Sequence, residues 1–152
     1  ALHHMGRRGQ PPTPPLNLVG DFGGGGLLLA YGMVCALLER ARSGKGQVVD
    51  AAMIDGAATL MGVFFGARHG GFWVDERGAN MLDSGAHFYD AYETKDGRFV
   101  SIGSIEPQFY AEMLKRAGAP EELAQGQMNP ANWDDYADRL AAPFHTKAQA
   151  VW

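Results

Sequence analysis

The sequence predicts an α/β protein, in which this chain contributes an α+β mixture of helices and short strands. Two long apolar stretches of helical length come first, at residues 27–42 and 50–68. Two stretches rich in strand-forming residues follow, at 87–94 and 98–103, with an Asp-Gly pair between them. That pair is a strong signal for a hairpin turn. Helices and strands are therefore expected in separate parts of the chain.

The N-terminal part is an expected connector that leads into the first helix. Residues 6–20 are rich in glycine and proline, and proline both lacks the amide donor and fixes its own φ angle. Asp21 and the glycines at 23–26 precede the first helix, which basic residues and Gly44 bring to an end. Because its apolar residues are nearly continuous, we expect this helix to be mostly buried.

The second helix is expected to begin after Asp50, a good capping residue, and to follow a short extended entry at 47–50. A loop at 69–86 separates it from the hairpin. Three further helices are predicted after the hairpin, at residues 107–117, 133–142 and from 147 onward. The change of pattern near residues 80–86 predicts a first domain at 1–80 and a second at 81–152.

Composition narrows the classes of partner. The formal net charge of −4 argues against nucleic acid as the main partner, because phosphate binding needs a basic surface. Cys35 is the single cysteine, which fits a reducing compartment, so we expect a cytoplasmic protein with Cys35 buried and inert. The apolar run at 27–38 is shorter than the ~18 residues of a membrane span, so none is expected.

The termini suggest that the chain is an internal part of a longer polypeptide. It opens without an initiator methionine and closes on Trp152 inside a predicted helix. We therefore expect further structure on both sides.

Two carboxylates are the best candidates for chemistry. Asp21 stands at the start of a helix, where the partial positive charge of the amides favours its ionised form. Glu106 follows a predicted buried strand and precedes Pro107. For each of them a plain helix cap, or for Glu106 a solvated loop charge, is the competing interpretation. The adjacent glycines let the backbone approach either a ligand or a partner helix.

Other kinds of site find little support. The glycine-rich segment lacks the Lys-Ser/Thr pair of a phosphate loop, and the strand expected before a dinucleotide loop is poor. The histidines show no metal-ligand spacing, and no Gly-x-Ser-x-Gly string is present, so neither a metal site nor a serine hydrolase is predicted.

Four strings together resemble the α-methylacyl-CoA racemases of the family-III CoA-transferase superfamily. They are residues 15–25 (PLNLVGDFGGG), 44–56 (GKGQVVDAAMIDG), 77–83 (RGANMLD) and 104–110 (SIEPQFY). The resemblance extends over essentially the whole chain. It implies an interlocked homodimer in which each chain has a large Rossmann-like CoA-binding domain and a small α+β domain. This chain would hold the helical end of the large domain and much of the small one.

The resemblance also implies roles for single residues. Asp21 matches an aspartate that acts as acid and base at the α-carbon, and Glu106 matches a glutamate that hydrogen-bonds the catalytic histidine. Asn17 matches an asparagine near the thioester oxygen, and Tyr89 a tyrosine that lines the site, while Gly23 and Gly24 are expected to bind substrate. The family's histidine lies before residue 1, so we expect this chain alone to be inactive. No metal or cofactor is implied, since the CoA thioester is itself the substrate.

Two other functions remain open from the sequence. A transferase of the same superfamily would use Asp21 as a nucleophile and form an acyl-aspartate anhydride. Such transferases carry a glycine-rich loop where this chain has residues 104–108 (SIEPQ), and the acid there favours proton transfer. A non-catalytic assembly module would use both carboxylates only as caps and would tolerate their amides.

Overall fold

A computed structural model describes residues 2–152; residue 1, the first of the predicted first domain, lies outside the described residues. The chain divides into two compact units. Residues 2–5 and 12–75 form the first unit, and Gly6–Pro11 with Glu76–Trp152 form the second. The expected boundary near residues 80–86 stays a prediction for the domains of the whole protein.

The first unit opens with two helical segments that run on without a break. A π-helix spans Leu18–Leu27 and follows Asn17, whose φ of 61° lies in the left-handed region. Helix α1 then spans Leu28–Ser43 and ends at Gly44, which has a φ of 71° and donates its amide to the Arg40 carbonyl at 2.8 Å. The predicted end of this helix is therefore confirmed, because a glycine in the left-handed region is a strong stop.

The second predicted helix is divided in two. Helix α2 spans Met53–Leu60 and helix α3 spans Gly62–His69, with the buried Met61 between them. Ala52, and not Asp50, holds the N-cap position of α2, so the prediction that Asp50 caps this helix is wrong. The helix starts later than the cap signal indicates because residues 45–52 form no regular secondary structure, and Ala52 itself is extended, with φ −72° and ψ 133°.

The π-helix packs on α2 through direct backbone contact. A β-carbon at Gly56 would overlap the carbonyl group of Gly24, and one at Gly24 would lie 2.8 Å from the Ala57 amide nitrogen. Only glycine allows two helices to approach this closely. This contact accounts for the buried state of both glycines.

The expectation that α1 is mostly buried is wrong for the described chain. None of its residues is buried, and Leu37 and Leu38 are 60% and 59% exposed. Cys35 is exposed as well, so the prediction of a buried thiol is also wrong for the described chain. The apolar pattern of α1 is typical of a helix that packs against other elements, but its apolar side chains remain exposed among residues 2–152.

The helical segment Leu18–Ser43 is also longer than the sequence indicated. It has 26 residues, its most apolar window has a mean hydropathy of 1.5, and 6% of that window is buried. By length and composition it can cross a membrane, so the prediction of an apolar run too short to do so is wrong. The π-helix supplies the missing length. Core helices of soluble proteins have the same length and composition, so no membrane assignment follows.

The second unit contains the hairpin. Strand β1 (Ala91–Glu93) pairs antiparallel with β2 (Phe99–Ser101), in the register Ala91 opposite Ser101. The Thr94 amide donates to the Arg98 carbonyl at 2.8 Å, and Gly97 has a φ of 70°, which the left-handed position of a three-residue hairpin loop requires. The predicted hairpin is confirmed, although each strand has only three residues.

Helices pack around this hairpin. Helix α4 spans Pro107–Ala117, as predicted, and helix α5 spans Trp133–Phe144, two residues beyond the predicted end. The helix expected from residue 147 is a single 3₁₀ turn at Gln149–Val151. The core residues come from both helices, the hairpin and the segments between them: Ala86, Phe88, Tyr92, Tyr110, Leu114, Ala119, Leu123, Trp133, Leu140 and Phe144.

Residues 6–11 belong to this second unit through charged contacts. The Arg7 guanidinium donates to both Asp90 carboxylate oxygens, at 2.8 and 2.6 Å, and Arg8 pairs with Asp134 at 3.1 Å. A β-carbon at Gly78 would lie 2.6 Å from the Arg8 amide nitrogen. The predicted connector is thus bound along part of its length.

Candidate active site

Asp21 lies in the first turn of the π-helix, and its side chain is exposed. Asn17 occupies the N-cap position, four residues earlier, and its carbonyl accepts the Phe22 amide at 3.1 Å. The alternative interpretation of Asp21 as a simple N-cap is therefore wrong. Its carboxylate is instead exposed to solvent in the first turn of the helix.

Gly23 and Gly24 are neighbours in the π-helix but lie in different surroundings. Gly24 is covered by α2, as described above. Gly23 instead lines an apolar cavity of about 360 Å³, whose other lining residues are Leu27, Leu28, Tyr31, Gly56, Thr59 and Leu60. Of the two glycines expected to bind substrate, Gly23 is thus at an open cavity, while Gly24 makes a helix contact.

Glu106 holds the N-cap position of α4 without using its side chain as a cap. Its backbone carbonyl accepts the amides of Phe109 and Tyr110, each at 3.0 Å, and no side-chain capping bond is formed. The side chain is exposed. The carboxylate therefore remains available for another partner.

Tyr89 lies on a segment next to the one that carries Glu106. The carbonyl of Phe88, directly before Tyr89, accepts the Ser104 amide at 3.1 Å. The Tyr89 side chain is 37% exposed and lines a cavity of about 320 Å³ together with Asp90, Ala91, Ser101, Ile102 and Gly103. Its ring would lie 3.6 Å from a β-carbon at Gly103, an ordinary van der Waals distance, so the ring packs directly beside this glycine.

The predicted residues therefore fall into two sets. Asn17, Asp21, Gly23 and Gly24 share one helical segment of the first unit, and Tyr89 and Glu106 share the second unit. Within each set the fold brings the residues onto one element or onto neighbouring segments.

A buried pair of polar side chains joins α4 to the segment before the hairpin, and the sequence pattern does not indicate it. His87 is 1% exposed, and its Nε2 lies 2.8 Å from the Tyr110 hydroxyl. Its Nδ1 has no hydrogen-bond partner among the described residues. Burial lowers the pKa of His87 to about 4 and raises the pKa of Tyr110, because both charged forms lose solvation. No spacing along the chain marks this pair, since the two residues belong to different elements.

A second unpredicted feature is a polar cluster in the first unit. His3, His4 and Asp75 place one possible metal-ligand atom each within 4.8 Å of one another. No ligand spacing along the chain indicates this cluster, since chain folding closes a separation of about 70 residues. The Trp73 indole donates to His4 Nδ1 at 3.3 Å, and Arg68 lies 3.1 Å from the second Asp75 oxygen. The side chains of His4 and Asp75 thus already have hydrogen-bond or ion-pair partners within the protein.

Residues 1–152 match the model of CoA-transferase family III. The chain belongs to CoA-transferase family III. It is 47% identical to the α-methylacyl-CoA racemase of Mus musculus and 43% identical to that of Homo sapiens, over 99% of this chain and 40% of each relative. The chain thus spans less than half the length of these relatives.

A solved structure agrees on the fold. A crystal structure of the hypothetical protein Rv3272 from Mycobacterium tuberculosis superposes with a TM-score of 0.68 and 24% identity, over 95% of this chain and 38% of that one. At this identity the likeness shows the fold alone. The predicted family-III fold, with an α+β mixture in this part of it, is therefore confirmed.

Proposed function

We propose that the protein carrying this chain is an isomerase that interconverts the (R) and (S) forms of 2-methylacyl-CoA thioesters. The observation that carries this proposal is the identity of 47% and 43% to α-methylacyl-CoA racemases over almost the whole chain. The exposed carboxylates of Asp21 and Glu106, neither of which is used as a side-chain cap, support it.

The chemistry requires two groups on opposite faces of the α-carbon. Asp21 exchanges the α-proton on one face, and the family's histidine, which Glu106 hydrogen-bonds, exchanges it on the other. Removal of the proton leaves an enolate, and return of a proton from the opposite side inverts the centre. Asn17 donates to the thioester oxygen as negative charge develops there. The substrate supplies the CoA, so the reaction needs no further cofactor.

The whole protein is further proposed to act as a cytoplasmic homodimer in the metabolism of branched fatty acyl groups. The many exposed apolar side chains of α1 fit a helix that other parts of the assembly cover. The tyrosine at position 89 and the cavity beside Gly23 are candidate contacts for the acyl part of the substrate.

A CoA-transferase is the second candidate, because the family includes such enzymes by name. In that reaction Asp21 would attack the thioester carbonyl, release CoA and form a mixed anhydride. Glu106, within the string SIEPQFY, favours the racemase. Proton transfer needs a carboxylate that hydrogen-bonds the catalytic histidine, whereas acyl transfer through Asp21 needs no second acid.

The deciding experiment follows the α-proton. The full-length protein is incubated with one enantiomer of a 2-methylacyl-CoA in D₂O, and the α-carbon is observed by NMR with Asp21→Ala as the control. Deuterium that enters with inversion, and is lost in the variant, supports the racemase. Transfer of CoA to an added free acid, without exchange, would replace this proposal by the transferase.

A further inference from the structure

The amide side chain of Gln127 lies across the segment that ends at Glu106. Gln127 is 6% exposed, and its Nε2 donates to the carbonyls of Ser104 and Ile105, each at 3.0 Å. These are the two residues directly before Glu106. A single buried side chain thus uses both of its N–H donors on the backbone that carries the candidate carboxylate.

Gln127 is itself held from the other side. The buried Trp133 indole donates to the Gln127 carbonyl at 2.9 Å, and its ring packs edge-on against Phe88. The Phe88 carbonyl in turn accepts the Ser104 amide at 3.1 Å. The contacts therefore form a closed ring that runs from Phe88 through Ser104, Gln127 and Trp133 back to Phe88. A closed ring of buried contacts is stiffer than any of its single bonds.

Glu106 depends on this ring for its place. Its side chain is exposed and makes no capping bond, so the carboxylate is located by its backbone. The backbone is fixed after Glu106 by α4, whose Tyr110 is 1% exposed and bonded to His87. Before Glu106 it is held by the Gln127 amide and by the bond from the Ser104 amide to the Phe88 carbonyl. Loss of the Gln127 amide removes both side-chain hydrogen bonds to this backbone, including the one to Ile105, the residue directly before Glu106.

We propose that Gln127 is a positioning residue, which holds the backbone before Glu106 so that the carboxylate meets the catalytic histidine. This inference rests on the proposed function. Gln127 touches no reacting atom, and its effect is expected to pass through Glu106 alone. A shift of about 1 Å at such a group lowers turnover by about 100-fold.

The test is a double-mutant cycle in the full-length protein. Gln127→Met keeps the length of the side chain and removes both donors, and Gln125→Met is the matched control at an exposed glutamine two residues away. We expect Gln127→Met to lower kcat for α-proton exchange by about 10- to 100-fold with KM changed by less than about 3-fold. In a Glu106→Gln background the same change should lower kcat by less than about 2-fold.

Two results would overturn the inference. One is an equal loss of kcat from Gln127→Met in both backgrounds, which indicates a general structural role. The other is an unchanged kcat in the Glu106 enzyme. If Gln127→Met does not fold, Gln127→His, which keeps one N–H donor, replaces it in the cycle.

Hydrogen exchange separates this inference from the proposed function. In wild-type protein that exchanges no α-proton, the racemase proposal fails, and amide exchange over residues 103–110 then decides about Gln127. Faster exchange in Gln127→Met than in Gln125→Met supports the positioning role, whereas equal exchange in the two variants overturns it.

Discussion

Gly24 and Gly56 face each other at the crossing of two helices without room for a side chain on either. A β-carbon at Gly56 would overlap the Gly24 carbonyl, so the π-helix that carries Asn17 and Asp21 rests on α2 by its backbone. The placement of two candidate site residues therefore depends on a glycine outside the site.

The first prediction concerns this crossing. Gly56→Ala should lower the free energy of unfolding by about 3 kcal/mol or more, because backbone atoms must move to admit the methyl group. Gly66→Ala is the matched control in α3, where a β-carbon meets nothing within 4 Å. It should raise stability by about 0.5–1 kcal/mol, because alanine is the better helix former. Urea unfolding of the full-length protein measures both, and equal effects of the two changes would contradict the packing argument.

The second prediction separates the carboxylates from caps. Asp21→Asn and Glu106→Gln should each lower kcat for α-proton exchange by about 10²- to 10⁴-fold, the range of acid–base catalysis, with little change in thermal stability. Neither side chain makes a capping bond that its amide would alter. Glu121→Gln, an exposed change in the same unit, is the control. Full activity in both amide variants would support an assembly module instead.

The third prediction is a pH dependence set by His87. Its folded-state pKa is about 4, below its ordinary value of 6.5, so the unfolded chain binds the proton more readily. The contribution of neutral His87 to the free energy of unfolding is fully present above pH 6.5, and it is lost as the pH falls from 6.5 toward 4. The loss over that window is about 3 kcal/mol, at 1.36 kcal/mol for each pKa unit.

Urea unfolding at several pH values measures how the free energy of unfolding changes with pH, and this slope checks the prediction. In His87→Gln the part of the slope due to residue 87 should disappear, while exposed histidines such as His69 and His145 remain as an internal background. If the free energy of unfolding changes with pH equally in wild type and variant, His87 is not the group that titrates.

The fourth prediction concerns the bond beneath α4. Tyr110→Phe removes the hydroxyl that lies 2.8 Å from His87 Nε2 and leaves a buried imidazole nitrogen unpaired. We expect a loss of about 1–3 kcal/mol in the free energy of unfolding. Tyr136→Phe removes a bond of equal length to the Gln125 carbonyl at an exposed site, and it should cost less than about 1 kcal/mol. A larger loss from Tyr136→Phe would contradict the importance of burial.

The elements that could be predicted are those with strong signals of their own. Pro107 at the first position and Gly118, with a φ of 68°, determine both ends of α4. Asp96 and Gly97 determine the hairpin loop in the same way. The π-helix had no such signal, because a run of glycines is equally compatible with a loop, and its helical state depends on contact with α2.

The sequence by itself determined the family, the position of most helices and the two carboxylates worth testing. It did so because caps, turns and recurring strings act over a few neighbouring residues. Only the tertiary structure decided that Asp21 is no cap, that Gly24 packs on Gly56 and that Gln127 binds the backbone before Glu106. These relationships join residues far apart in the chain, and close packing and the need to pair buried polar groups, rather than local preference, create them.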